Sequence, residues 1–124
     1  MSTVVIGTVI HGTGDGAKLG FPTANLSVSK PLHLAHGVYA CVVSVVGRQY
    51  NGVLHFGPRA VFGETKPQFE VHLFDFTQKI YGETIAVEIR DFIRDTKPFT
   101  SLEALVAQIQ KDCDQAKKLL KLKP

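Results

Sequence analysis

The segment from Gly12 to Leu26, GTGDGAKLGFPTANL, contains the residues of this 124-residue chain that are best suited to chemistry on a phosphate group. Its glycines, at positions 12, 14, 16 and 20, allow backbone amides to approach a phosphate chain and to adopt positive φ angles. The segment is not a Walker A loop, because it lacks a Gly-Lys-Ser/Thr triplet and no helical pattern follows it. Hairpin loops use the same glycines, so the loop alone leaves a purely structural role open.

Two oxygen-bearing side chains follow the glycines directly. Pro22 fixes its own backbone and favours an extended conformation at Phe21. Thr23 and Asn25 are two residues apart, so on an extended chain they project to the same side. A hydroxyl and an amide carbonyl are hard oxygen donors that suit Mg²⁺ beside phosphate oxygens. The alternative is a turn in which both side chains bond to their own backbone.

The elements that must position these residues are short strands. Up to about residue 95, apolar runs separated by turn signals predict strands at Val4–Ile10, Gly37–Val46, Gln49–Phe56, Phe69–Phe76 and Thr84–Phe92. Gly47-Arg48 and Tyr81-Gly82 are the predicted tight turns. Five or six strands at this spacing favour a closed antiparallel barrel, which leaves no exposed sheet edge. We find no repeat or linker, so residues 1–124 are predicted to form a single domain.

The last segment is predicted to be a helix. Thr100 followed by Glu103 fits a capping box. Apolar residues then recur at helical spacing and form one stripe: Leu102, Leu105, Val106, Ile109, Cys113, Ala116 and Leu120. The stripe either packs on the barrel or serves a partner helix. We favour packing on the barrel, because a barrel this small needs a cover on its open side.

Composition places the chain among ordinary globular proteins, with 44% hydrophobic and 20% charged residues. Cys41 and Cys113 have no motif spacing and apolar neighbours, so we expect reduced core residues and a reducing compartment. The first residues, MSTVVIGTVIHG, lack the features of a signal peptide, and no apolar run is long enough to span a bilayer. We therefore expect a cytoplasmic monomer with no membrane partner.

The net charge of +3 and the pI near 9.0 suit an anionic ligand. Much of the excess comes from the lysines of the tail, at positions 117, 118, 121 and 123, which complement the dipole of the predicted helix. No aromatic residues alternate with them, so we expect no nucleic-acid partner. A basic barrel that binds single-stranded nucleic acid remains an alternative functional hypothesis.

Motifs along the chain resemble those of the riboflavin kinases. GTVIHG, LGFPTANL, GVYA, YNGV, FEVHLFDF, IYGETIAVEIRDFIRD and a closing helix follow in the same order as in that family, and as in the kinase half of bacterial bifunctional FAD-synthesising enzymes. The combination of PTAN with EVHL is specific, and the resemblance covers essentially the whole chain. It implies a six-stranded antiparallel Greek-key β-barrel with a C-terminal helix packed on it. It also implies a Mg²⁺-dependent transfer of phosphate from ATP to riboflavin, which gives FMN and ADP.

The resemblance also implies roles for individual residues. Thr23 corresponds to the magnesium ligand and Asn25 to its partner at the phosphates. The residues predicted to bind the nucleotide phosphates beside Thr23 and Asn25 are Gly12, Gly14, Gly16, Lys18 and Gly20. Glu70, which opens EVHL, corresponds to the general base, since a carboxylate within hydrogen-bond reach can orient a primary hydroxyl and accept its proton. Without the resemblance, Glu70 is more simply a solvated glutamate on a strand.

Strand alternation predicts the surroundings of Glu70. It places Glu70, His72, Phe74 and Phe76 on one face of the strand, and Val71 and Leu73 on the other face, in the barrel core. His72, Phe74 and Arg94 are the candidates for contact with the flavin. The alternatives are a packing role for His72 and a helix-entry ion pair for Arg94 and Asp95.

The chain departs from the family pattern in two loops. Asp15 and Ala17 stand near positions where the family usually carries arginine, which leaves Lys18 as the cation of that loop. His55 replaces an amide, and Ala60-Val61 replaces a proline and a hydroxyl. These departures motivate an alternative to the kinase hypothesis, in which the chain is a non-catalytic flavin- or nucleotide-binding module on the same barrel. The adenylyltransferase half of the bifunctional enzymes is absent from this sequence, so its product is expected to be FMN.

Overall fold

Six β-strands and a C-terminal helix form the framework of a computed structural model that describes residues 3–11, 20–29, 34–58, 67–76 and 79–121. The strands are β1 (Thr3–Ile10), β2 (Ala24–Ser27), β3 (Gly37–Val45), β4 (Arg48–Gly57), β5 (Gln68–Leu73) and β6 (Thr84–Arg94). The helix, α1, is Leu102–Lys121. Within the described ranges no helix is both long and apolar enough to cross a bilayer.

The strands close into an antiparallel barrel in the order β1-β2-β5-β4-β3-β6. Strands β3, β4 and β5 are consecutive neighbours, and β6 returns to lie beside β3, which is Greek-key topology. Because β6 also pairs with β1, the sheet has no free edge. The predicted six-stranded barrel with a C-terminal helix is confirmed.

Alternate residues of each strand fill the barrel interior. Val5, Leu54, Val71 and Val87 are completely buried there. Val71 and Leu73 therefore belong to the core, as alternation along β5 predicts. Each such aliphatic side chain stabilises the fold by about 1.5–3 kcal/mol when it leaves water.

Helix α1 packs against the outer face of β3 and β4. Its residues Cys113, Ala116 and Leu120 meet Val38 and Val53 in a second buried cluster. The intramolecular role predicted for the stripe is confirmed. The barrel has no open side to be covered, however, because the strands close completely and the helix lies on their outside.

The helix begins one residue later than the capping box predicts. Ser101, not Thr100, is the N-cap residue, because its Oγ accepts a hydrogen bond from the Ala104 amide at 3.1 Å. Leu102, expected in the apolar stripe, is 46% exposed. It occupies the first helical position, ahead of the buried Leu105.

The turn between β3 and β4 is Val46–Gly47, not Gly47-Arg48. Val45 pairs with Arg48, so a two-residue loop joins the strands. Both loop residues have positive φ, 46° for Val46 and 79° for Gly47, which matches the twist of a hairpin. The turn predicted at Tyr81-Gly82 is confirmed, with Gly82 at φ 84°.

Strand β5 ends at Leu73, earlier than predicted. Asp75 adopts a left-handed conformation with φ 56°, which breaks the alternation of side chains. Phe76 therefore does not share a face with Glu70. It packs against the interior cluster, with its ring 4.8 Å from that of Tyr50.

Candidate active site

Strand pairing places three polar side chains in one row on the outer face of the barrel. Glu70 on β5 lies directly opposite Asn25 on β2 and directly opposite His55 on β4. Directly opposed residues of an antiparallel pair point to the same face, with Cβ atoms about 4.5–5.5 Å apart. The candidate base therefore stands between an amide and an imidazole.

Glu70 is buried, with 4% of its surface exposed. The alternative given by the sequence alone, a solvated glutamate on a strand, therefore does not describe this residue. Buried carboxylates are uncommon in proteins, because removal from water has to be offset by specific interactions. The burial marks Glu70 as a specialised position on the outer face of β5.

A cavity of about 340 Å³ opens beside Thr23, at one end of the barrel. Its walls are mostly apolar and come from β1, from β5 and from the segment that precedes β6. The lining residues are Val9, Pro22, Thr23, Ala24, Val71, Leu73, Phe76, Lys79, Ile80 and Tyr81. Thr23 brings a hydroxyl group to this cavity and Lys79 brings a cation.

The rim of the cavity is fixed by two backbone hydrogen bonds. The Gly82 amide donates to the Val9 carbonyl at 2.8 Å, and the Val9 amide donates to the Glu83 carbonyl at 2.9 Å. They hold Tyr81 at the cavity, where its ring stacks on that of His11 with centroids 3.8 Å apart. His11 directly precedes Gly12 in the sequence.

The phosphate-binding residues predicted in the glycine loop lie almost entirely outside the described residues. Gly12, Gly14, Gly16 and Lys18 are in this group, as are the departures at positions 15, 17, 60 and 61. Gly20 is described. Its φ of 89° lies in the left-handed region that favours glycine, although a Cβ atom there would meet no neighbour.

The donor set present fits a magnesium ion that is held mainly by substrate phosphates. Thr23 and Asn25 flank Ala24 at the start of β2 and offer a hydroxyl and an amide oxygen. Among the described residues no three His, Cys, Asp or Glu side chains group into a metal site of their own. Mg²⁺ characteristically takes few protein ligands and completes its shell with water and phosphate oxygens.

His72 contacts the segment that carries Thr23. Its Nδ1 lies 2.7 Å from the carbonyl oxygen of Pro22. The rings of Phe21 and Phe74 meet the imidazole edge-on, with centroids at 5.7 and 5.8 Å. Phe74 packs toward α1, where the Lys117 ammonium lies 5.0 Å from its ring centroid.

Arg94, the third candidate for flavin contact, is joined to the helix. Its Nε and Nη2 donate to the two carboxylate oxygens of Asp112 at 2.9 and 2.8 Å. Gln108 donates to the same carboxylate at 2.9 Å. The backbone carbonyl of Asp95 accepts a hydrogen bond from Arg94 Nη1 at 3.0 Å. Arg94 therefore forms its ion pair with Asp112, in the middle of α1, and not with Asp95 at the helix entry.

Sequence reasoning missed several residues that the fold brings to the site. His55, which the sequence marks only as a departure from a family pattern, lies opposite Glu70. Tyr81, which the sequence marks only as part of a turn, lines the cavity and stacks on His11. Both placements depend on pairing between distant strands, so no local signal reveals them. Asp112 could have been noticed as an acidic residue beside the apolar stripe of α1.

A closed barrel that sets an amide opposite a buried carboxylate and brings a hydroxyl to a nearby cavity has side chains of the kind that phosphoryl transfer uses. A scan against family models agrees with that chemistry. The model described as riboflavin kinase, flavokinase, matches residues 2–120. The chain belongs to the riboflavin kinase family.

Individual relatives support the same placement. The chain is 41% identical over 114 residues to a bifunctional riboflavin kinase/FMN adenylyltransferase from Haemophilus influenzae, and 40% identical over 114 residues to one from Bacillus subtilis. These matches cover 91% and 89% of the chain but only 37% and 36% of the relatives, so the chain spans about a third of their length. The crystal structure of a riboflavin kinase from Trypanosoma brucei superimposes with a TM-score of 0.68 at 26% identity, covering 100% of this chain and 83% of that one.

Proposed function

We propose that this domain transfers the terminal phosphate of Mg²⁺–ATP to the 5′-hydroxyl of the ribityl chain of riboflavin, which gives FMN and ADP. Membership of the riboflavin kinase family supports the substrate pair. The observation that carries the proposal is the register of β2 against β5, which sets Asn25 directly opposite the buried Glu70. A base and a phosphate-side ligand must be neighbours for in-line transfer.

In the proposed reaction Glu70 is the general base. The ribityl hydroxyl oxygen attacks the terminal phosphorus, and the bond from that phosphorus to the bridging oxygen of ADP breaks. The hydroxyl proton passes to the Glu70 carboxylate. Thr23 and Asn25 would hold the magnesium ion, which neutralises charge on the phosphates when bound. Phosphoryl transfer needs positioning and electrostatic stabilisation more than covalent chemistry, and short strand-borne side chains supply both.

The cavity beside Thr23 is the proposed site of the nucleoside part of ATP. Its apolar walls suit an adenine ring, and Tyr81 and His11 at the rim offer aromatic surface. Lys79 supplies a cation toward the phosphates. The glycines at 12, 14, 16 and 20, together with Lys18, remain the proposed phosphate loop. Phe74 and Arg94 remain candidate riboflavin contacts.

The direct test is to incubate the protein with riboflavin and Mg²⁺–ATP and to measure FMN. Glu70→Gln keeps the size of the side chain and removes the proton acceptor, so turnover should fall by roughly 10²–10⁴. Glu88→Gln is the matched control. Glu88 is also a strand glutamate, but its side chain is 35% exposed and paired with Arg90. That variant should retain the turnover of the wild-type protein.

The pH profile separates a base from a residue that only binds. Wild-type turnover should decline at acidic pH as the Glu70 carboxylate takes up a proton, and Glu70→Gln should lack that decline. Riboflavin should still bind to the Glu70→Gln variant, as measured by the quenching of riboflavin fluorescence. Binding of riboflavin by the wild-type protein without any FMN would instead favour a non-catalytic binding module. Undiminished turnover of Glu70→Gln with an unchanged acid limb would remove Glu70 from the mechanism.

A further inference from the structure

The segment that carries Thr23 lies at the very end of a strand ladder. The pairing of β2 with β5 begins at Ala24, opposite Val71, so Pro22 and Thr23 precede the paired residues. Pro22 has no amide hydrogen and cannot donate to a neighbouring strand. Its carbonyl oxygen is therefore a group through which the rest of the fold can hold this segment.

His72 reaches that carbonyl. It stands on β5 two residues from Glu70, on the same outer face, and its Nδ1 is 2.7 Å from the Pro22 oxygen. A carbonyl oxygen only accepts hydrogen bonds, so Nδ1 must carry the hydrogen. Both the neutral Nδ1–H tautomer and the imidazolium satisfy this requirement. The hydrogen bond can therefore form in either charge state of His72, and it holds the Pro22 carbonyl against β5.

The imidazole is itself held in place. Phe21 and Phe74 meet it edge-on from two sides, and both rings pack against the cluster formed with α1. Beneath it, Gly52 on β4 lets the two backbones approach closely, since a Cβ atom there would clash with the His72 carbonyl. Because packing already restricts rotation of the His72 ring, forming the hydrogen bond costs little further conformational entropy. The bond therefore holds the Pro22 carbonyl in a well-defined position.

We propose that His72 is a positioning residue, which holds the Thr23 segment against β5 and so sets Thr23 relative to Glu70. The inference rests on the proposed function. It differs from the role that the family resemblance implies, in which His72 touches the flavin. A residue that acts through Thr23 should affect handling of the Mg²⁺–nucleotide, whereas a flavin contact should affect riboflavin.

Two substitutions at one position separate these roles. His72→Leu keeps bulk but removes the donor. His72→Asn places an amide N–H close to the position of Nδ1 and restores it. We expect His72→Leu to lower kcat/KM for Mg²⁺–ATP by roughly 10- to 100-fold, since a displacement of about 1 Å can cost that much. Riboflavin affinity without nucleotide should stay within about twofold, and His72→Asn should recover most of the loss.

A double-mutant cycle with Thr23→Ala provides the decisive measurement. If His72 acts through Thr23, His72→Leu should have little further effect on kcat/KM once Thr23 is alanine. Fully additive losses, equal defects in the Asn and Leu variants, or a selective loss of riboflavin affinity would each overturn the inference. Failure of the wild-type protein to form FMN would refute the proposed function instead. Amide hydrogen exchange at residues 23–26 tests this hydrogen bond without turnover, because it should accelerate in His72→Leu and not in His72→Asn.

Discussion

We expect Arg94→Met to destabilise the protein by about 3 kcal/mol, because this arginine holds helix α1 on the barrel through a buried ion pair. The guanidinium makes a two-pronged contact with the Asp112 carboxylate, at 2.9 and 2.8 Å. The side chains are 16% exposed for Arg94 and 4% exposed for Asp112. Methionine keeps the length of the aliphatic stem and leaves the carboxylate without its cation.

The magnitude follows from what remains around Asp112. Removal of one member of a buried ion pair costs about 3–5 kcal/mol, because the other charge stays buried. The lower end applies here, since Gln108 still donates to Asp112 at 2.9 Å. Replacing both members, as Arg94→Met with Asp112→Leu, leaves no buried charge and should bring stability back to within about 1 kcal/mol of wild type. The coupling energy between the two sites should then be at least about 2 kcal/mol.

These changes in stability are measured by urea unfolding, with far-ultraviolet circular dichroism as the probe, because the chain has no tryptophan to report unfolding by fluorescence. The slope against urea should be unchanged, so that the midpoint reports stability alone. Arg90→Met is the matched control. Arg90 pairs with Glu88, but their side chains are 28% and 35% exposed, so the loss should stay below about 1 kcal/mol.

Two results would refute the reasoning. One is a loss below about 1 kcal/mol for Arg94→Met, equal to that of the Arg90 control. The other is strictly additive losses in the double variant, which would mean that the two side chains do not stabilise each other. The same protein samples also address the flavin contact implied for Arg94. A rise in the KM for riboflavin, measured well below the unfolding midpoint, would assign that second role to the guanidinium.

Three further outcomes are expected. Thr23→Ala should strongly reduce turnover with little change in melting temperature. Excess EDTA should abolish the turnover of the wild-type protein, and full activity in EDTA would contradict the magnesium assignment. Burial raises the pKa of the Cys41 thiol to about 12 and that of Cys113 to about 11, so near neutral pH both stay protonated. A thiol reagent should then label them only on unfolding, and rapid labelling of folded protein would show that they are accessible. Val46→Asn should raise the free energy of unfolding by about 0.5–1 kcal/mol, since asparagine tolerates the positive φ that valine resists; a lower urea midpoint would contradict this.

Five of the six strands and the helix were predictable because each carries its own local period, whereas the four-residue strand β2 is not among the predicted strands. Val71 and Leu73 alternate with polar neighbours on β5 and are buried as alternation requires. The stripe of α1 repeats at helical spacing, and Cys113 and Ala116 are buried accordingly. Both cysteines, expected in the core as free thiols, are free and buried.

Two of the errors fall at non-glycine residues that adopt a positive φ. Gly47 correctly marked a turn, but β-branched Val46 gave no sign that it would share the left-handed region, and the pairing of Val45 with Arg48 imposes it. Asp75 likewise turns left-handed and ends β5, which sends Phe76 to the interior cluster. At Val46 strand pairing overrules the local preference of a β-branched residue, whereas aspartate tolerates the left-handed region and gives no specific signal for a strand end at Asp75.

The candidate site is set by core residues that take no part in the chemistry. Asn25 faces Glu70 only because Ala24 and Leu26, on either side of it, point into the barrel, where Leu26 is 5% exposed. A slip of one residue between β2 and β5 would turn Asn25 inward and expose the apolar pair. The free energy that buries Leu26 therefore also fixes the spacing of the proposed phosphate ligand and the proposed base. The hydrogen bond from His72 to the Pro22 carbonyl positions Thr23, which precedes Ala24, the first paired residue of β2. The apolar core and this one hydrogen bond together determine the geometry of the proposed site.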